Sequence, residues 1–443
     1  MKKSKNEDRE MKKIKCLIVG CGHRSRLYAE NAMNISKDFE IVGIVDPDEH
    51  ILNLYADKYR VPKNMRFKNI DEVLKLGKIA DCVINGTMDK LHISTSIPFL
   101  EQGYDMLLEK PITNNAQDLM RLKKVADEHH NKVMICHVLR YSPFYRKAKE
   151  IINSGKIGEI VHIQTNERVG VAHNCISFIR GKWNNEEECG SSFMLAKCCH
   201  DIDIICWLNN ATKPVRVSSF GGRNFIIPEK APKESGTRCL VDCPLADSCQ
   251  YSAKLMLLEN DYLVSYPWQC TGKEYFELTK EEKEESLKTN NPHGVCAWKT
   301  NADIVDHQTV ILQFENGSTA SHGLYPSAQR AGRDLYVLGT KGELEGWVGS
   351  GKLHLRTFDE ENRANIDIGK EEIFDFNNND QSETGGHFGG DALLAKDFID
   401  FIQGNGTSIS RTELTDSVNG HLCVYAADKS MKEGKVIDIR SLL

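Results

Sequence analysis

The sequence predicts an α/β protein that begins with a doubly wound parallel sheet, and three observations indicate this fold class. The apolar run IKCLIVG (residues 14–20) ends in glycine and precedes a helical pattern, as a buried parallel strand and its crossover helix do. Strand and helix patterns then alternate as far as KVMICHV (residues 132–138). Beyond residue 158, strand-like runs recur with hairpin turns between them, which predicts a second sheet.

The first strand leads into a glycine turn of the kind that holds a dinucleotide. Residues 20–25 read GCGHRS, which matches G-x-G-x-x-G except that serine replaces the third glycine. The first glycine permits the tight turn, the second lets the backbone approach a pyrophosphate, and a small serine partly supplies the close packing of the third. The N-terminus of the following helix attracts phosphate. The predicted cofactor-binding residues of this turn are Gly20, Gly22, His23, Arg24 and Ser25.

The second strand ends in an acidic residue that bears on the choice of cofactor. FEIVGIVDPDE (residues 39–49) supplies a strand over 41–45, followed at once by Asp46. A carboxylate there accepts hydrogen bonds from both hydroxyls of an adenosine ribose, and it would repel a 2′-phosphate. The sequence therefore favours NAD over NADP. The alternative is that Asp46 caps the next helix.

Two later strand ends place polar residues at the carboxyl edge of the sheet, where ligands of such sheets bind. ADCVINGT (80–87) is a strand followed by the helix HISTSIPFLEQG (92–103). YDMLLEKP (104–111) is the next strand, followed by a helix over 114–130. The predicted cofactor-binding residues at these two strand ends are Thr87, His92, Glu109, Lys110 and Pro111.

The second half of the chain reads as strands joined by short turns. The strand-like runs are EIVHIQTNE, VRVSSFGG, QTVILQFENGSTASHGLY, RDLYVLGTKGELEGW and SGKLHLRTF. Within them ENGS and GTKGE are typical of hairpin turns. A polar stretch over 381–390 leads into a predicted helix over 391–402.

Composition and charge exclude several classes of function. The 443 residues suffice for two or three domains, and 40% hydrophobic with 27% charged residues is ordinary for a globular protein. A formal net charge of −6 gives no reason to expect nucleic acid as a partner. No apolar run approaches the roughly 20 residues of a membrane span. We expect a disordered tail over 1–12 and, since it lacks the apolar region of a signal peptide, a cytoplasmic protein.

From residue 14 onwards the chain resembles the glucose–fructose oxidoreductase, inositol dehydrogenase and MocA family of NAD(P)-dependent oxidoreductases. The matching features are the glycine turn, Asp46, residues 87–92, EKP (109–111), RYSPFYRKAKEIINSGKIGEIVHIQ (140–164), HDID (200–203), DHQTVILQFENGSTAS (306–321) and GHFGGDALLAKDFIDFI (386–402). The resemblance implies an NAD-binding Rossmann domain over 13–140. It also implies a substrate-binding and oligomerisation domain over 141–443, whose open, mostly antiparallel sheet covers the nicotinamide, and a homo-oligomer, either a dimer or a tetramer.

The resemblance also implies catalytic residues. Oxidation of an alcohol needs a group that takes the hydroxyl proton and a cation that stabilises the developing alkoxide. The family pattern places the cation at Lys110 and the acid/base at His200. Many members carry an aspartate four residues before that histidine, and here the position is Ala196, with Lys197 next to it. Lys197 is the third catalytic candidate, because it could bind a substrate hydroxyl or act on the histidine as a nearby like charge.

The segment SSFMLAKCCHDIDIICWL (191–208) is mostly apolar, yet it carries titratable residues whose burial without partners would be costly. On a helix, Lys197, His200 and Asp201 share one side, and we expect that side to face the active site. Asp203 would orient His200 or bond the backbone. The alternative is that these groups satisfy polar groups of the core. The predicted substrate-binding residues are Arg140, Tyr141, Arg168, His173, Lys197, Asp201, Asp203 and His387.

A cysteine cluster lies in a predicted loop over 236–252. Cys239, Cys243 and Cys249 form a C-x3-C-x5-C array. Three thiols in one loop indicate a structural metal, zinc first, with an iron–sulfur cluster as the alternative. Cys296 is the preferred fourth ligand, with His293 or Cys270 behind it. The other interpretation is a set of reduced thiols without metal.

The predicted function is an NAD-dependent oxidoreductase that transfers hydride between nicotinamide and a hydroxyl of a sugar, glycoside or cyclitol. Its partner would be a small carbohydrate-like molecule. The alternative is an NAD-recycling glycoside hydrolase, which oxidises transiently, eliminates the aglycone, adds water and reduces again. A third interpretation, a non-catalytic NAD(H) sensor, is disfavoured because both Lys110 and His200 are present.

Overall fold

The computed structural model describes residues 13–260, 266–361, 369–377 and 389–443. The predicted tail over 1–12 and the substrate candidate His387 lie outside these residues. Among the helices of the described residues, none is both long enough and apolar enough to span a bilayer.

The N-terminal sheet confirms the predicted doubly wound fold. Its order is β3-β2-β1-β4-β5-β6, and all neighbouring strands are parallel. Its six strands in the described residues are β1 (Ile14–Val19), β2 (Phe39–Val45), β3 (Arg66–Phe67), β4 (Cys82–Asn85), β5 (Asp105–Leu108) and β6 (Val133–Ile135). The strand order reverses between β1 and β4, so the crevice where such folds bind ligands opens at the ends of these two strands.

Helices cover both faces of this sheet, because nearly every strand residue is buried and needs an apolar partner on each side. The helices are α1 (His23–Ile35), α2 (Glu49–Lys58), α3 (Ile70–Leu74), α4 (His92–Glu101) and α5 (Ala116–Glu128). Side-chain caps begin several of them. Asp48 caps α2 by accepting from the backbone of His50 and Ile51, and Asn115 caps α5.

The second sheet is mixed and mostly antiparallel, as predicted. Within the described residues it has nine strands in the order β14-β13-β12-β11-β7-β10-β9-β8-β15, and only β7 and β10 run parallel. The strands are β7 (Ile160–Gly170), β8 (Pro214–Gly222), β9 (His307–Phe314), β10 (Thr319–Ala328), β11 (Gly332–Gly339), β12 (Gly342–Trp347), β13 (Lys352–Thr357), β14 (Lys370–Asp375) and β15 (Ile437–Asp438). Burial alternates strictly along β9, so one face packs on the core and the other faces outward.

Helices and a long insertion accompany this sheet. The helices are α6 (Pro143–Asn153), α7 (Val171–Asn174), α8 (Glu186–Cys189), α9 (Cys199–Leu208), α10 (Lys280–Lys288), α11 (Gly390–Gln403) and α12 (Leu414–Glu433). Turns of π-helix extend over Cys175–Ile179, Met194–Cys198 and Lys254–Glu259. The chain between β8 and β9 has its own small apolar cluster, built around Trp268, Leu257 and Ala253.

Helix α11 returns to the first domain. Leu394 and Phe398 belong to the same buried cluster as Tyr28 of α1 and Ile18 of β1. Beside it, α12 packs along β8 and α9. The two sheets therefore share their flanking helices, which holds the carboxyl edge of the first sheet against the inner face of the second.

Candidate active site

The glycine turn after β1 is shaped for a dinucleotide. Gly20 has φ +77°, and a Cβ there would lie 2.8 Å from the backbone nitrogen of Thr87, so only glycine fits. Helix α1 begins at His23, behind Gly22, with no side chain capping its N-terminus. Its first backbone N–H groups and the positive end of the helix dipole are therefore available to a pyrophosphate.

Ser25 replaces the third glycine of the motif because Gly86 makes room for it. The Ser25 hydroxyl is fully buried and donates to the carbonyl oxygen of Gly20 at 2.7 Å. A Cβ at position 86 would lie 2.0 Å from that hydroxyl oxygen. The serine thus ties α1 to the turn, at a point where β4 also ends.

Asp46 braces the turn from the next strand. Its Oδ2 accepts from the backbone N–H of Cys21 at 2.7 Å, and its Oδ1 accepts from Asp48 at 2.9 Å. The cap of α2 is Asp48, so the carboxylate of Asp46 serves the turn instead of the helix. Burial raises the pKa of Asp46 above its ordinary value. A half-buried carboxylate beside the glycine turn fits an adenosine ribose.

The segment after β5 brings a lysine to the crevice. The Lys110–Pro111 bond is cis, and the Lys110 ammonium donates to the carbonyl oxygen of Ala196 at 2.8 Å. The lysine is therefore held by main chain, at the position where the resemblance in sequence would have placed an aspartate. Its neighbour Glu109 accepts from Arg24 Nε at 3.4 Å and from the Lys110 backbone N–H at 3.0 Å.

His92 joins the two strand ends. Its Nδ1 lies 2.6 Å from the carbonyl oxygen of Pro111, and its Nε2 lies 3.1 Å from that of Thr87. The ring is buried. His92 was predicted to bind the cofactor. In the structure it holds the segments after β4 and β5 next to each other at the carboxyl edge of the sheet.

Lys110 and His200 line one cavity of about 200 Å³ between the two sheets. Gly22, Thr87 and Lys197 line it as well. Segment 191–208 is not one regular helix, because the π-helical turn Met194–Cys198 precedes α9. Ala196 lies in that turn, and its carbonyl oxygen accepts from the Lys110 ammonium.

A charge network borders this cavity, because Lys197 and Arg333 line it while their carboxylate partners are buried behind them. Arg333 Nε donates to Asp201 at 2.8 Å, and its Nη2 lies 2.6 Å from Glu167 Oε2. The Lys197 ammonium lies 3.6 Å from Glu167 Oε1. Burial lowers the pKa of Lys197 below its ordinary value. Lys197 lines the cavity, whereas Asp201 does not and is bound by Arg333. The residues expected to share one side of a helix facing the active site therefore do not all reach the cavity.

Asp203 and Arg140 form a second buried pair, away from the cavity wall. Arg140 donates from Nε at 2.7 Å and from Nη2 at 2.5 Å to the two oxygens of Asp203. Both side chains are about 1% exposed. Tyr141 is likewise buried, with its hydroxyl donating to Asp397 at 2.7 Å. These three substrate candidates fasten α9, the segment after β6 and the C-terminal helices together.

The remaining candidates divide in the same way. His173 lines the cavity, whereas Arg168 pairs with Asp334, the Nη2–Oδ2 distance being 2.8 Å. Arg24 lines the cavity and also donates to the fully buried Asp391 of α11 at 2.5 Å. Arg24 therefore clamps α11 to the glycine turn.

Arg333, which lines the cavity, and His137, which is buried beside His200, carried no recognised signal in the sequence. Arg333 lies on β11. A charged residue within a predicted strand is the sequence feature that could have marked it as a candidate. His137 is buried with its ring centroid 5.6 Å from that of His200 and 5.5 Å from that of His421. Burial together with Arg140 and Lys110 lowers the pKa of His137 well below its ordinary value. Burial also lowers the pKa of His421 to about 3, so two imidazoles with lowered pKa lie close to the first turn of α9.

The cysteine loop is joined to the segment that carries Cys296. Cys239 donates its backbone N–H to Gly294, and Cys296 donates to Thr237, both at 2.9 Å. The four predicted metal ligands Cys239, Cys243, Cys249 and Cys296 all border one small cavity. Among the described residues, the three ligand atoms that lie within 4.8 Å of one another belong instead to Cys198, Asp201 and His322.

The glycine turn, the acidic strand end and the second sheet over the crevice together define a two-domain NAD-binding oxidoreductase. The family model for an oxidoreductase family with an NAD-binding Rossmann fold matches residues 14–137. The model for the C-terminal α/β domain of the same family matches residues 149–439. The chain therefore belongs to the Gfo/Idh/MocA oxidoreductase family.

Individual relatives are distant but span most of the chain. YteT of Bacillus subtilis is 26% identical over 401 residues, which cover 86% of this chain and 88% of YteT. Inositol 2-dehydrogenase of Corynebacterium glutamicum strain R is 22% identical over 306 residues, 67% of this chain and 80% of that protein. A levoglucosan dehydrogenase, solved with NADH and levoglucosan, superposes with a TM-score of 0.67 at 13% identity, covering 96% and 99% of the two chains.

Proposed function

We propose that the protein oxidises a secondary hydroxyl of a sugar, glycoside or cyclitol ring with NAD as the hydride acceptor. The observation that carries the proposal is the convergence of Lys110 from the first domain and His200 from the second on one cavity at the glycine crevice. Inositol and levoglucosan dehydrogenases among the relatives favour a cyclic polyol as substrate.

The roles of the two residues follow from their surroundings. The Lys110 ammonium is held at the cavity by the Ala196 carbonyl, and a fixed cation there stabilises the alkoxide that forms as the hydroxyl loses its proton. His200 takes that proton as general base. Lys197, held by Glu167 behind the cavity, offers a further donor to a neighbouring hydroxyl. The glycine turn at Gly20 and Gly22 would hold the pyrophosphate of NAD, which when bound would supply the hydride acceptor for oxidation of the alcohol to a ketone.

The test is a panel of sugars, cyclitols and aryl glycosides incubated with the enzyme and NAD, with NADH formation and aglycone release followed together. We expect net NADH. Replacement of the base in His200→Asn should lower kcat/KM by roughly 10²–10⁴-fold. Loss of the cation in Lys110→Met should lower it by about 10²–10³-fold. The matched controls His129→Asn and Lys124→Met change exposed residues of the first domain and should behave as wild type.

The same panel decides between the dehydrogenase and the NAD-recycling hydrolase. Aglycone release without net NADH would contradict the dehydrogenase, because the hydride would then have returned to the substrate. The names of the relatives favour the dehydrogenase. No NADH and no aglycone from any compound, with NAD bound, would contradict both.

We propose that the cysteine loop holds a structural zinc ion. The support is the pairing of the two backbone segments and the N–H groups that point at sulfur, from Ala253 to Cys239 at 3.5 Å and from Tyr251 to Cys249 at 3.4 Å. Such donors stabilise thiolates that bind metal. Cys296 is the fourth candidate ligand, whereas the alternative His293 bonds Ile176 and Asn291. Zinc would draw the four sulfurs together, because among the described residues no three of them lie within 4.8 Å of one another. Metal analysis should find about one zinc per chain, lost in Cys296→Ser, and a ratio near zero would contradict the proposal.

We propose that the outward face of the second sheet pairs with a second copy of the chain. Five large apolar side chains share this face by strand register and are 36–73% exposed. They are Phe220, Ile311, Tyr325, Leu338 and Ile373. An exposed apolar patch of this kind marks an interface, and a twofold axis lets one face cover itself. Sedimentation should show a dimer or tetramer that dissociates in Ile311→Asp but not in the control Leu76→Asp, and a wild-type monomer would refute the proposal.

A further inference from the structure

A second cavity adjoins the one that holds Lys110 and His200. It measures about 550 Å³, against about 200 Å³ for the inner cavity. The residues that border both are Met88, Ser177, Lys182, Trp183, Tyr266 and Gln269. The outer cavity alone falls within the roughly 300–1,000 Å³ of sites that enclose small-molecule ligands. The reaction itself needs only the inner cavity, so the outer one has no role in the function proposed so far.

The shared wall is aromatic and fixed. The rings of Trp183 and Tyr266 meet nearly edge to face, with centroids 5.9 Å apart and planes at 84°. The Trp183 indole N–H donates to Asp89 at 3.2 Å, and Asp89 also accepts from Ser191 at 2.8 Å. A pinned indole offers a flat apolar face at little entropic cost, and the C–H face of a sugar ring packs on such a surface.

A cation stands at the junction of the two cavities. The Lys182 ammonium lies 4.5 Å from the centroid of the Trp183 ring and 5.8 Å from that of Tyr266. Among the described residues no carboxylate forms a salt bridge with this ammonium, and the exposed Lys182 side chain borders both cavities. Desolvation by the surrounding protein lowers the pKa of Lys182.

The far rim of the outer cavity is polar. Asn184 donates to Asn301 at 3.0 Å, and Lys90 and Glu188 lie on the same rim. An aromatic wall, a donor at the junction and a polar rim match the alternating C–H faces and hydroxyls of a carbohydrate. The inner cavity is likewise lined by aromatic and polar side chains, and the six shared residues place the two cavities side by side.

We infer that the outer cavity binds a second ring of the substrate, so that the substrate is a glycoside of at least two rings. The reacting ring lies between Lys110 and His200, and the second ring packs against Trp183. Lys182 donates to oxygens at the linkage between the rings. This inference rests on the proposed function for the placement of the reacting ring.

The experiment fills the outer cavity without touching the inner one. Asn301 and Glu188 are exposed residues that border only the outer cavity, so Asn301→Trp and Glu188→Trp each reduce its room. Asn34→Trp, on the exposed side of α1, is the matched control. Two filling variants are used because either one alone could fail to fold.

Two readouts separate this inference from the proposed function. Calorimetric titration in the presence of NADH compares a monosaccharide with disaccharides that contain it. Wild type should bind a disaccharide at least about tenfold more tightly, and the filling variants should abolish that difference while changing monosaccharide binding less than about twofold. Equal affinities in wild type, or a preference that survives both filling variants, would overturn the inference. Absence of turnover with sugars that bind would instead count against the proposed function.

Discussion

Gly86→Ala tests the packing that closes the cofactor crevice. The new Cβ would lie 2.0 Å from the Ser25 hydroxyl oxygen, which donates to Gly20 and is fully buried. Two atoms cannot remain that close. The hydroxyl must rotate and lose its partner, or the turn must shift.

The size of the effect follows from these two outcomes. An orphaned buried hydroxyl costs about 1–3 kcal/mol, and overpacking a close-packed site costs a similar ~1–3 kcal/mol. Removing the serine relieves both, because the nearest atom left to the new Cβ is the Gly20 carbonyl oxygen at 3.7 Å, an ordinary contact. Ser25→Gly alone should cost about 1–2 kcal/mol through the helix glycine and the lost hydrogen bond. The double variant should therefore lose less unfolding free energy than the two single variants lose together, and the difference should be about 1–3 kcal/mol.

The assay is urea unfolding of wild type, both single variants and the double variant, with NAD binding measured on each. Gly22→Ala is the control within the same turn. Its Cβ would meet only the Gly86 carbonyl oxygen at 4.0 Å, so it should cost less than about 1 kcal/mol in stability. It should still weaken NAD binding, since the backbone there approaches the pyrophosphate. Strictly additive losses in the cycle would refute the packing argument.

Further predictions concern buried charges. Burial raises the pKa of Asp428 to about 6, so the folded chain holds a proton that the unfolded chain releases above about pH 4. The stability from that protonated carboxyl is fully present below pH 4 and is lost as pH rises through 6. Between pH 5 and pH 8 this carboxyl should contribute about 1.4 kcal/mol to the pH dependence of unfolding, because pH 5 lies one unit below its folded pKa. Asp428→Asn should remove that difference, measured by unfolding at the two pH values, and an unchanged slope would contradict it. Asp203→Asn leaves the Arg140 guanidinium buried without its counter-charge and should cost about 3–5 kcal/mol. Replacing both residues, as Arg140→Met with Asp203→Leu, should cost less than Asp203→Asn, and an equal or greater loss would show that the charges are not coupled.

Local patterns were enough for most of the first domain. Strands β1, β2, β4, β5 and β6 and helices α1, α4 and α5 were predicted from apolar runs and helical patterns. In the second half of the chain, the helix predicted over 391–402 occurs as Gly390–Gln403. Short strands escaped notice, because β3 and β15 have two residues each and show no period. The insertion between β8 and β9 contains turns and a π-helical segment, and neither has a regular apolar period from which it could be predicted.

At the site, residue type alone could not tell cavity residues from structural ones. Lys197, His200, Asp201 and Asp203 lie within seven positions of sequence, yet only the first two line the cavity. The two aspartates are bound by arginines 132 and 63 positions away. Because the sequence does not show these partners, it could not distinguish the four titratable residues of this apolar segment by their roles.

The sequence by itself determined the fold class, the family and the dinucleotide turn, because these depend on short-range sterics and on the period of apolar residues. A glycine that must adopt φ +77° and a strand that must bury both faces leave local marks. The tertiary structure decided which charges cancel each other, how α11 closes on α1, and that a second cavity adjoins the first. Arg24 and Asp391 meet across 367 positions, and such pairings are set by how the two sheets pack. Coulomb and packing energies depend on distance in space, and neither is encoded in the spacing of residues along the chain.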